Sequence, residues 1–478
     1  MTYFSTRQFA FLTAAAIFNL FGLSMLAQQE LTAISYIVYS LLFFLIPAAL
    51  VSAELSSAFA KSEGGVYTWV RQALSPFWGT LAIFMQWAQS LALYPILLGF
   101  GGVAAAYVIG ADWLINKGLF LGLFSIVVYW LATWINLRGH ETMVKVTNYS
   151  FALGMLGSVI ILVLLAVVWI LAKKPIGFLH LNASETAVAE IVNNQVRPRF
   201  FPEINSLNSI AFLAAITLLF AGVESQTVHA LKLKNPEKQL PAAIFLASGI
   251  TFLMFLLGGL AIAVIVPYGQ ITTDAGLFRA YQIFAETFHL PWLPNILSAL
   301  IIFGMFGAVT SWIGGPSRGM LIATKEGQLP TSFTKVNKNG IQLRIILIQG
   351  ILVTLLCSIY LIFPNPNVGF FFMSTFTVGL YLIMYLLMYA AAIFLRYRQP
   401  NLLRPYKIPG GKVGTWLIAG GGFIAAAFAL IVSFFPPTTL TVGNDTLYVS
   451  LAIGGSLFFI CLCLILNLWG RREARSKH

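Results

Sequence analysis

Residues 148–172 read NYSFALGMLGSVIILVLLAVVWILA and contain no charged side chain. About 20 apolar residues in a helix cross the hydrocarbon core of a bilayer, so this run is long enough to span a membrane. Eleven further runs are similarly apolar and nearly free of charge, and we number the twelve segments in chain order. They cover residues 8–28, 33–58, 78–109, 118–137, 148–172, 208–231, 241–266, 292–322, 341–362, 368–396, 413–435 and 447–469.

The composition of the whole chain also indicates a membrane protein. The 478 residues are 59% hydrophobic and only 9% charged, whereas about 25% of the residues of a soluble domain are charged. Backbone groups in lipid must be paired within their own segment, and the runs lack the alternation of barrel strands. The sequence therefore predicts an all-α integral membrane protein with twelve transmembrane helices in a single transmembrane domain.

The net charge of +13 indicates topology rather than a nucleic-acid partner. If both termini lie on one side of the membrane, all but six of the 28 lysine and arginine residues fall on that side. The six on the opposite side are Lys117, Lys173, Lys174, Arg197, Arg199 and Arg279. Basic residues are in excess in cytoplasmic loops, so we expect both termini in the cytoplasm.

The sequence offers little for catalysis or for a cofactor. Cys357, Cys461 and Cys463 lie within apolar runs, where their number and spacing predict core residues rather than a disulfide or a zinc site. No phosphate-binding loop, metal-ligand cluster or nucleophile triad is recognisable. We therefore expect no cofactor and no enzymatic activity.

Glu54 and Glu224 are the acidic residues within the runs, away from their extreme ends. A carboxylate at membrane depth costs at least about 2.5–3.5 kcal/mol, which makes it a candidate functional residue. Glu224, at the middle of segment six, suits a proton carrier or a partner for an ammonium group; the alternative is a structural carboxylate capped by hydroxyls such as Ser225 and Thr227. Glu54 lies near the cytoplasmic end of segment two, where we expect a salt bridge to a lysine.

Segments one and six have centres rich in small residues. Segment one contains Thr13-Ala14-Ala15-Ala16, followed by Asn19 and Gly22, and segment six contains Phe220-Ala221-Gly222-Val223-Glu224. Glycine lowers helix stability by about 1 kcal/mol relative to alanine, and backbone groups freed by a break need another partner, such as a ligand. Close helix packing is the alternative. From the residues alone both interpretations stay open for segment six, and packing is favoured for segment one.

Two further sets of side chains are candidates. Tyr381, Tyr385 and Tyr389 form one stripe of segment ten and offer hydroxyl donors and aromatic faces, although such stripes are more often packing. His140 and His229 lie near the cytoplasmic ends of helices, where a histidine can act as a pH sensor. Isolated histidines usually have no such role.

Five short motifs belong together. They are residues 63–67 (EGGVY), 222–224 (GVE), Trp312 with residues 315–320 (GPSRGM), 408–412 (IPGGK) and 433–437 (SFFPP). In combination they resemble the amino acid–polyamine–organocation superfamily and, within it, the bacterial glutamate/GABA antiporters. EGGVY is general to the superfamily, whereas GPSRGM with IPGGK is narrower, and the resemblance runs from about Leu12 to the end of segment twelve.

The resemblance implies a LeuT-like fold with a five-plus-five inverted repeat. Residues 1–172 and 208–396 would form the two five-helix repeats, 413–469 two additional C-terminal helices, and 470–478 a short cytoplasmic tail. It further implies an alternating-access amino acid antiporter in the bacterial inner membrane, with amino acids, protons and the lipid bilayer as partners. Proton-coupled uptake of neutral amino acids is an alternative, and so is a channel or a non-transporting sensor; the oligomeric state and sodium dependence stay open.

The resemblance also implies which residues bind the substrate. Exposed backbone would meet its α-amino and carboxylate groups, at Thr13, Ala14, Ala15, Ala16 and Ile17 in segment one and at Phe220, Ala221, Gly222 and Val223 in segment six. Glu224 matches the glutamate of the family's segment six. Tyr381 and Tyr385 match a tyrosine pair that binds substrate and gates the site, and Trp312 matches a tryptophan near it.

Three features depart from the antiporters. Ala308 stands one turn before Trp312, where they carry a second carboxylate, and Phe21 replaces a tyrosine. The chain ends at His478 without the long tail that plugs the cytoplasmic vestibule of the acid-resistance antiporter. We therefore expect less steep acid gating, and a selectivity that is looser and tilted toward neutral or amidated amino acids.

Overall fold

The helices of the computed structural model follow the segments marked in the sequence. The structure describes residues 3–181, 188–192, 195–203, 211–272, 275–362, 366–435 and 445–476. The predicted first residues of segment six (208–210), the two prolines of the SFFPP motif and the last two residues of the tail lie outside these ranges.

Nine helices of the described part are long and apolar enough to cross a membrane, or ten if the bent segment one counts as a span. For segments two to five they are Thr32–Ala58, Pro76–Val108, Gly118–Leu137 and His140–Leu171. For segments seven, eight and ten to twelve they are Pro236–Ile265, Leu293–Lys325, Pro366–Arg398, Gly411–Ser433 and Asp445–Arg475. The helical membrane architecture is confirmed, although nine or ten spans are found where twelve are predicted.

Segments six and nine account for the difference, because both are interrupted. Segment six contains the helix Ala211–Leu219 and the 3-10 helix Ser225–Lys232. Segment nine contains Leu343–Cys357 and the short helix Ile359–Ile362. A continuous apolar run in the sequence does not show where its helix is broken.

A few elements lie outside the spans. Two helices, Val66–Ala73 and Gly276–Phe288, follow segments two and seven. The strands Ala189–Val192 and Gln195–Pro198 pair antiparallel in the loop after segment five, which departs from the all-α prediction. The polar residues of this loop allow a small hairpin outside the apolar runs.

Burial separates a central group of segments from a peripheral one. Segment three is the most buried span and packs along segments eight and ten, whereas segment twelve is the least buried. Cys463 on segment twelve is buried, as predicted, and so is Cys357 on segment nine, but Cys461 is exposed. Residues two apart on a helix point in nearly opposite directions, which explains why Cys461 is not a core residue.

Candidate functional site

Segment one is broken at residues 18–20. The helices Thr6–Ile17 and Phe21–Ala27 meet there at an angle of 58°. The side-chain oxygen of Asn19 accepts a hydrogen bond of 2.9 Å from the amide of Gly22, and thereby pairs one of the amides left free at the start of the second helix. The segment is thus broken, although its small residues also pack closely: Thr13 to Ala16 are buried, and a Cβ atom on Gly22 would lie 2.7 Å from Leu219. Thr13 to Ala16 form the last turns of the first helix, so the break lies just after them.

Segment six is broken at residues 220–224, between its α-helix and its 3-10 helix. Gly222 has φ +121°, a conformation that side-chain-bearing residues rarely adopt. A Cβ atom added to Gly222 would lie 3.1 Å from the carbonyl oxygen of Ala16. Glycine is therefore required for the backbone conformation, and it also lets the breaks of segments one and six touch.

The carboxylate of Glu224 joins segments three, six and ten. It is 1% exposed, and its Oε1 accepts hydrogen bonds from Gln86 Nε2 at 2.8 Å and from the Tyr381 hydroxyl at 2.6 Å. Its Oε2 accepts from the Tyr385 hydroxyl at 2.5 Å, and that hydroxyl accepts from the amide of Gly222 at 2.9 Å. Within the described residues no lysine or arginine forms an ion pair with Glu224. Three neutral donors therefore hold the carboxylate.

The expected hydroxyl caps of Glu224 are not its partners. Ser225 Oγ donates to the carbonyl of Gly222 at 2.7 Å, and Thr227 Oγ1 donates to the backbone carbonyl of Glu224 at 2.6 Å. Both hydroxyls bond to a carbonyl three residues earlier, as serine and threonine commonly do within one turn of a helix. Ser225 and Thr227 are therefore not the caps of Glu224, and the hydroxyls of Tyr381 and Tyr385 take that place. Whether Glu224 is functional or structural stays open.

The tyrosine stripe of segment ten divides into two parts. The rings of Tyr381 and Tyr385 lie 5.1 Å apart, and both hydroxyls reach Glu224. Tyr389 continues the row at 6.0 Å from Tyr385, but its hydroxyl lies 3.4 Å from the carbonyl of Phe44 in segment two. Two of the three tyrosines therefore belong to the site around Glu224, and the third packs beside it.

A cavity lies between the two breaks and segments three, eight and ten. It encloses about 550 Å³ of space between protein atoms, including its open mouth. Its lining residues are Ala16, Ile17, Asn19, Phe21, Met25, Gln89, Leu93, Ile96, Ala215, Leu218, Leu219, Ala221, Trp312, Ser374, Thr377, Val378 and Tyr381. Five of the predicted site residues are among them, namely Ala16, Ile17, Ala221, Trp312 and Tyr381.

The other predicted residues lie behind this lining. Thr13, Ala14, Ala15, Phe220, Gly222, Val223, Glu224 and Tyr385 are buried but do not line the cavity. Thr13 Oγ1 donates to the carbonyl of Phe9 at 2.9 Å, within its own helix, and the ring of Phe220 packs on Phe255 with centroids 5.2 Å apart. Of the two substitutions noted in the sequence, Phe21 lines the cavity, whereas Ala308 is buried away from it.

Four further polar residues line the cavity that were not among the predicted site residues, although Asn19 was noted in segment one. They are Asn19, Gln89, Ser374 and Thr377. Neutral polar residues cost less than a carboxylate at membrane depth, so each is a weaker signal than Glu224. The sequence nevertheless contained a signal for Gln89, because Gln86 and Gln89 stand one helical turn apart in a largely apolar run.

Two of the sequence motifs meet where segments two and eight end. Glu63 of EGGVY forms a salt bridge with Arg318 of GPSRGM. Close by, Glu326 Oε2 accepts a hydrogen bond from the Tyr67 hydroxyl at 2.5 Å and pairs with Arg71 Nε at 2.8 Å. These contacts tie Glu63 and the helix Val66–Ala73, both after segment two, to the end of segment eight.

The predicted salt bridge of Glu54 is confirmed, but its partners are arginines rather than a lysine. Glu54 is 2% exposed and pairs with Arg396 and, at 3.1 Å, with Arg404. Its Oε2 also accepts from the amide of Ile408 at 2.7 Å, within the IPGGK motif. The carboxylate therefore fixes segment two to the loop between segments ten and eleven.

His140 and His229, which the sequence treats separately, are neighbours. Their rings lie 5.0 Å apart in an edge-on arrangement, close to Arg318. A role in pH sensing stays a prediction. Among the residues that the structure describes, no group of three or more His, Cys, Asp or Glu residues is placed to hold a metal ion.

A family model and the similar proteins all point to one family of transporters. The family model described as amino acid permease matches residues 4–458. An uncharacterized transporter of Legionella pneumophila is 32% identical over 445 residues, which cover 93% of this chain and 92% of that protein. The glutamate/gamma-aminobutyrate antiporter of Lactococcus lactis is 30% identical over 439 residues, which cover 91% and 84%.

A solved structure shares the fold. The crystal structure of MhsT in complex with L-phenylalanine superposes with a TM-score of 0.62 over 90% of this chain and 98% of that one, at 14% identity. The resemblance drawn from the motifs is thus confirmed, and the chain belongs to the amino acid permease family.

Proposed function

We propose that this chain is a secondary active transporter that exchanges amino acids across the bacterial inner membrane, as an antiporter of the glutamate/GABA type. One observation carries the proposal: the breaks of segments one and six touch at Ala16 and Gly222, beside a central cavity. Half-helices that end within the membrane place backbone carbonyls and amides that have no partner within their own helix, with their partial charges, at the same depth. These groups suit the ammonium and carboxylate that all α-amino acids share.

The roles of the side chains follow from their positions. We assign the α-amino and carboxylate groups of the substrate to the backbone of the two breaks, with Ala16, Ile17 and Ala221 in the lining and Thr13 to Ala15 supporting the helix end behind it. Trp312 and Tyr381 form the aromatic wall. Glu224 is the candidate for proton coupling, because its two oxygens connect segments three, six and ten through neutral donors.

The contacts on either side of the breaks support alternating access. Each of segments one, three and six has one half on the side of the N-terminus and one half on the opposite side. The cavity is lined by the halves on the opposite side, for example by Phe21, Ile96 and Leu218. The side of the N-terminus carries the bond of Arg318 to Glu63 and the bond of Glu326 to Arg71 in the helix Val66–Ala73. With the N-terminus in the cytoplasm, the cavity lies toward the outside, and transport requires the cytoplasmic contacts to open.

The arrangement in the membrane is part of the same proposal. It has twelve segments, both termini in the cytoplasm, and an inverted repeat of residues 1–172 and 208–396. Residues 413–469 then add two helices and 470–478 a short tail. Segments one and six, the first of each five, are both broken, and the basic residues are concentrated on the side of the N-terminus. The chemistry of such a site is binding and release, so we assign no catalytic activity.

An exchange assay tests the proposal. The purified protein is reconstituted into liposomes that contain labelled glutamate or, in a parallel set, labelled glutamine; the release of label is measured as external amino acids are added, with protein-free liposomes as the control. An exchanger gives saturable acceleration of release by external amino acids. A leak that rises linearly with concentration indicates a channel, accumulation driven by a proton gradient into empty liposomes indicates uptake, and binding without flux indicates a sensor; each of these outcomes contradicts exchange.

A further inference from the structure

We propose that Gln89 recognises the far end of the substrate's side chain, and that it selects amino acids whose side chain ends in an uncharged amide, such as glutamine. The inference rests on the proposed function, because it requires that an amino acid occupies the cavity. It adds a specificity-determining residue on segment three.

Gln89 is a buried polar group turned toward the cavity. Its side chain is 0% exposed, it lines the cavity, and neither Oε1 nor Nε2 has a hydrogen-bond partner among the residues that the structure describes. Buried amides are nearly always paired, because an unpaired donor and acceptor each lose their hydration without compensation. A ligand that brings both an acceptor and a donor removes that cost.

Gln86, on the same helix, has a different role from Gln89. Gln86 lies one turn earlier, and its amide donates to Glu224 at 2.8 Å. Gln89 lies about 4.5 Å farther along the helix axis, on the side away from the cytoplasm. Its backbone carbonyl accepts from Thr377 Oγ1 at 3.4 Å, which anchors this turn to segment ten. Segment three therefore uses one glutamine to hold the carboxylate and offers the next to the cavity.

The lining around Gln89 carries no formal charge. Among the described residues that line the cavity, the polar side chains are Asn19, Ser374, Thr377, Tyr381, the indole of Trp312 and Gln89 itself, and none is acidic or basic. A carboxylate or ammonium at the end of the substrate's side chain would lose its hydration there without meeting an opposite charge. An amide has both a donor and an acceptor to match Gln89. The preference for substrates with an uncharged side chain therefore follows from Gln89, and not from Ala308, which lies away from the cavity.

The test compares a polar with an apolar substrate of similar length. Liposomes with labelled internal substrate are used to measure the half-saturating external concentrations of glutamine, glutamate and methionine, for the unmodified protein and for Gln89→Met. We expect Gln89→Met to raise the value for glutamine about tenfold or more, because a site built for a polar group discriminates strongly by it. The value for methionine should stay unchanged or fall.

The control removes a different buried polar group, a hydroxyl that also has no hydrogen-bond partner among the described residues. Ser298 lies in segment eight, away from the cavity lining, and Ser298→Ala should leave all three values unchanged. If Gln89→Met raises the values for glutamine and methionine equally, or if the unmodified protein exchanges amino acids but not glutamine, the inference is overturned and exchange itself stands. If the unmodified protein exchanges no amino acid, the proposed function fails as well.

A conservative variant covers the case in which Gln89→Met does not fold. Gln89→Asn keeps the amide and shortens the side chain by one methylene. It should still prefer glutamine to methionine, and the unmodified protein should prefer glutamine to both methionine and glutamate. Equal competition by the three amino acids in either protein contradicts the inference.

Discussion

The indole nitrogen of Trp312 donates a hydrogen bond of 2.9 Å to the carbonyl oxygen of Ala16. Ala16 is in the last turn of the first half of segment one, where the carbonyls have no partner within the helix. The ring of Trp312 also stands edge-on to Tyr381, with centroids 5.7 Å apart. Segment eight therefore holds the end of a broken helix and the aromatic wall of the cavity together.

Trp312→Phe should reduce exchange without preventing folding. Phenylalanine keeps an aromatic ring in the wall but leaves the buried carbonyl of Ala16 without this donor, at a cost of about 1–3 kcal/mol. We expect the maximal exchange rate in liposomes to fall about tenfold. Trp130→Phe is the matched control, because the Trp130 indole donates to Thr354 outside the cavity. Equal loss in both variants would show that Trp312 has only a general packing role.

The positions of the helices and of the buried carboxylate could be predicted from the sequence. The contacts between residues that are distant in the chain could not. The positions of the apolar helices follow from hydropathy, and Glu224 is evident because a carboxylate is so costly in lipid. Its partners Gln86, Tyr381 and Tyr385 come from segments distant in the chain, so only packing reveals that they meet. The exact position of the break in segment one likewise depends on the side chain of Asn19.

Gly222→Ala should disrupt the contact between the breaks of segments one and six. Alanine at φ +121° is strained, by about 1–3 kcal/mol, and its Cβ would lie 3.1 Å from the carbonyl oxygen of Ala16. We expect a lower thermal midpoint in detergent and loss of exchange in liposomes.

Gly249→Ala is the control for Gly222→Ala. Gly249 is in a helix, and a Cβ atom there meets nothing within 4 Å. Alanine is favoured over glycine in a helix by up to about 1 kcal/mol, so this variant should be as stable as the unmodified protein or slightly more stable. A fully active Gly222→Ala would contradict the close approach of the two breaks.

Glu54→Gln should destabilise the protein more than it affects the site. Its carboxylate is buried with Arg396 and Arg404, and loss of one partner from a buried ion pair costs about 3–5 kcal/mol. Thermal unfolding in detergent measures the effect. Lys145→Gln breaks the exposed pair of Lys145 with Glu141 and should shift the midpoint little, since exposed pairs contribute about 0–1 kcal/mol. Equal midpoints for the two variants would mean that Glu54 does not fix the loop before segment eleven.

Glu224→Gln should abolish most of the exchange and leave the protein folded. The amide has the same shape and keeps one acceptor, but it removes the negative charge and places a donor where Oε2 accepts from the Tyr385 hydroxyl. Because that hydroxyl also accepts from the amide of Gly222, the change reaches the break of segment six. We expect the exchange rate to fall at least about tenfold, or to lose its dependence on pH, between about pH 4.5 and 7.5, the range in which carboxyl groups and histidines titrate. Glu286→Gln makes the same chemical change at an exposed residue outside the spans and should have no effect. Unmodified rates in Glu224→Gln across this range would reduce Glu224 to a structural group that joins segments three, six and ten.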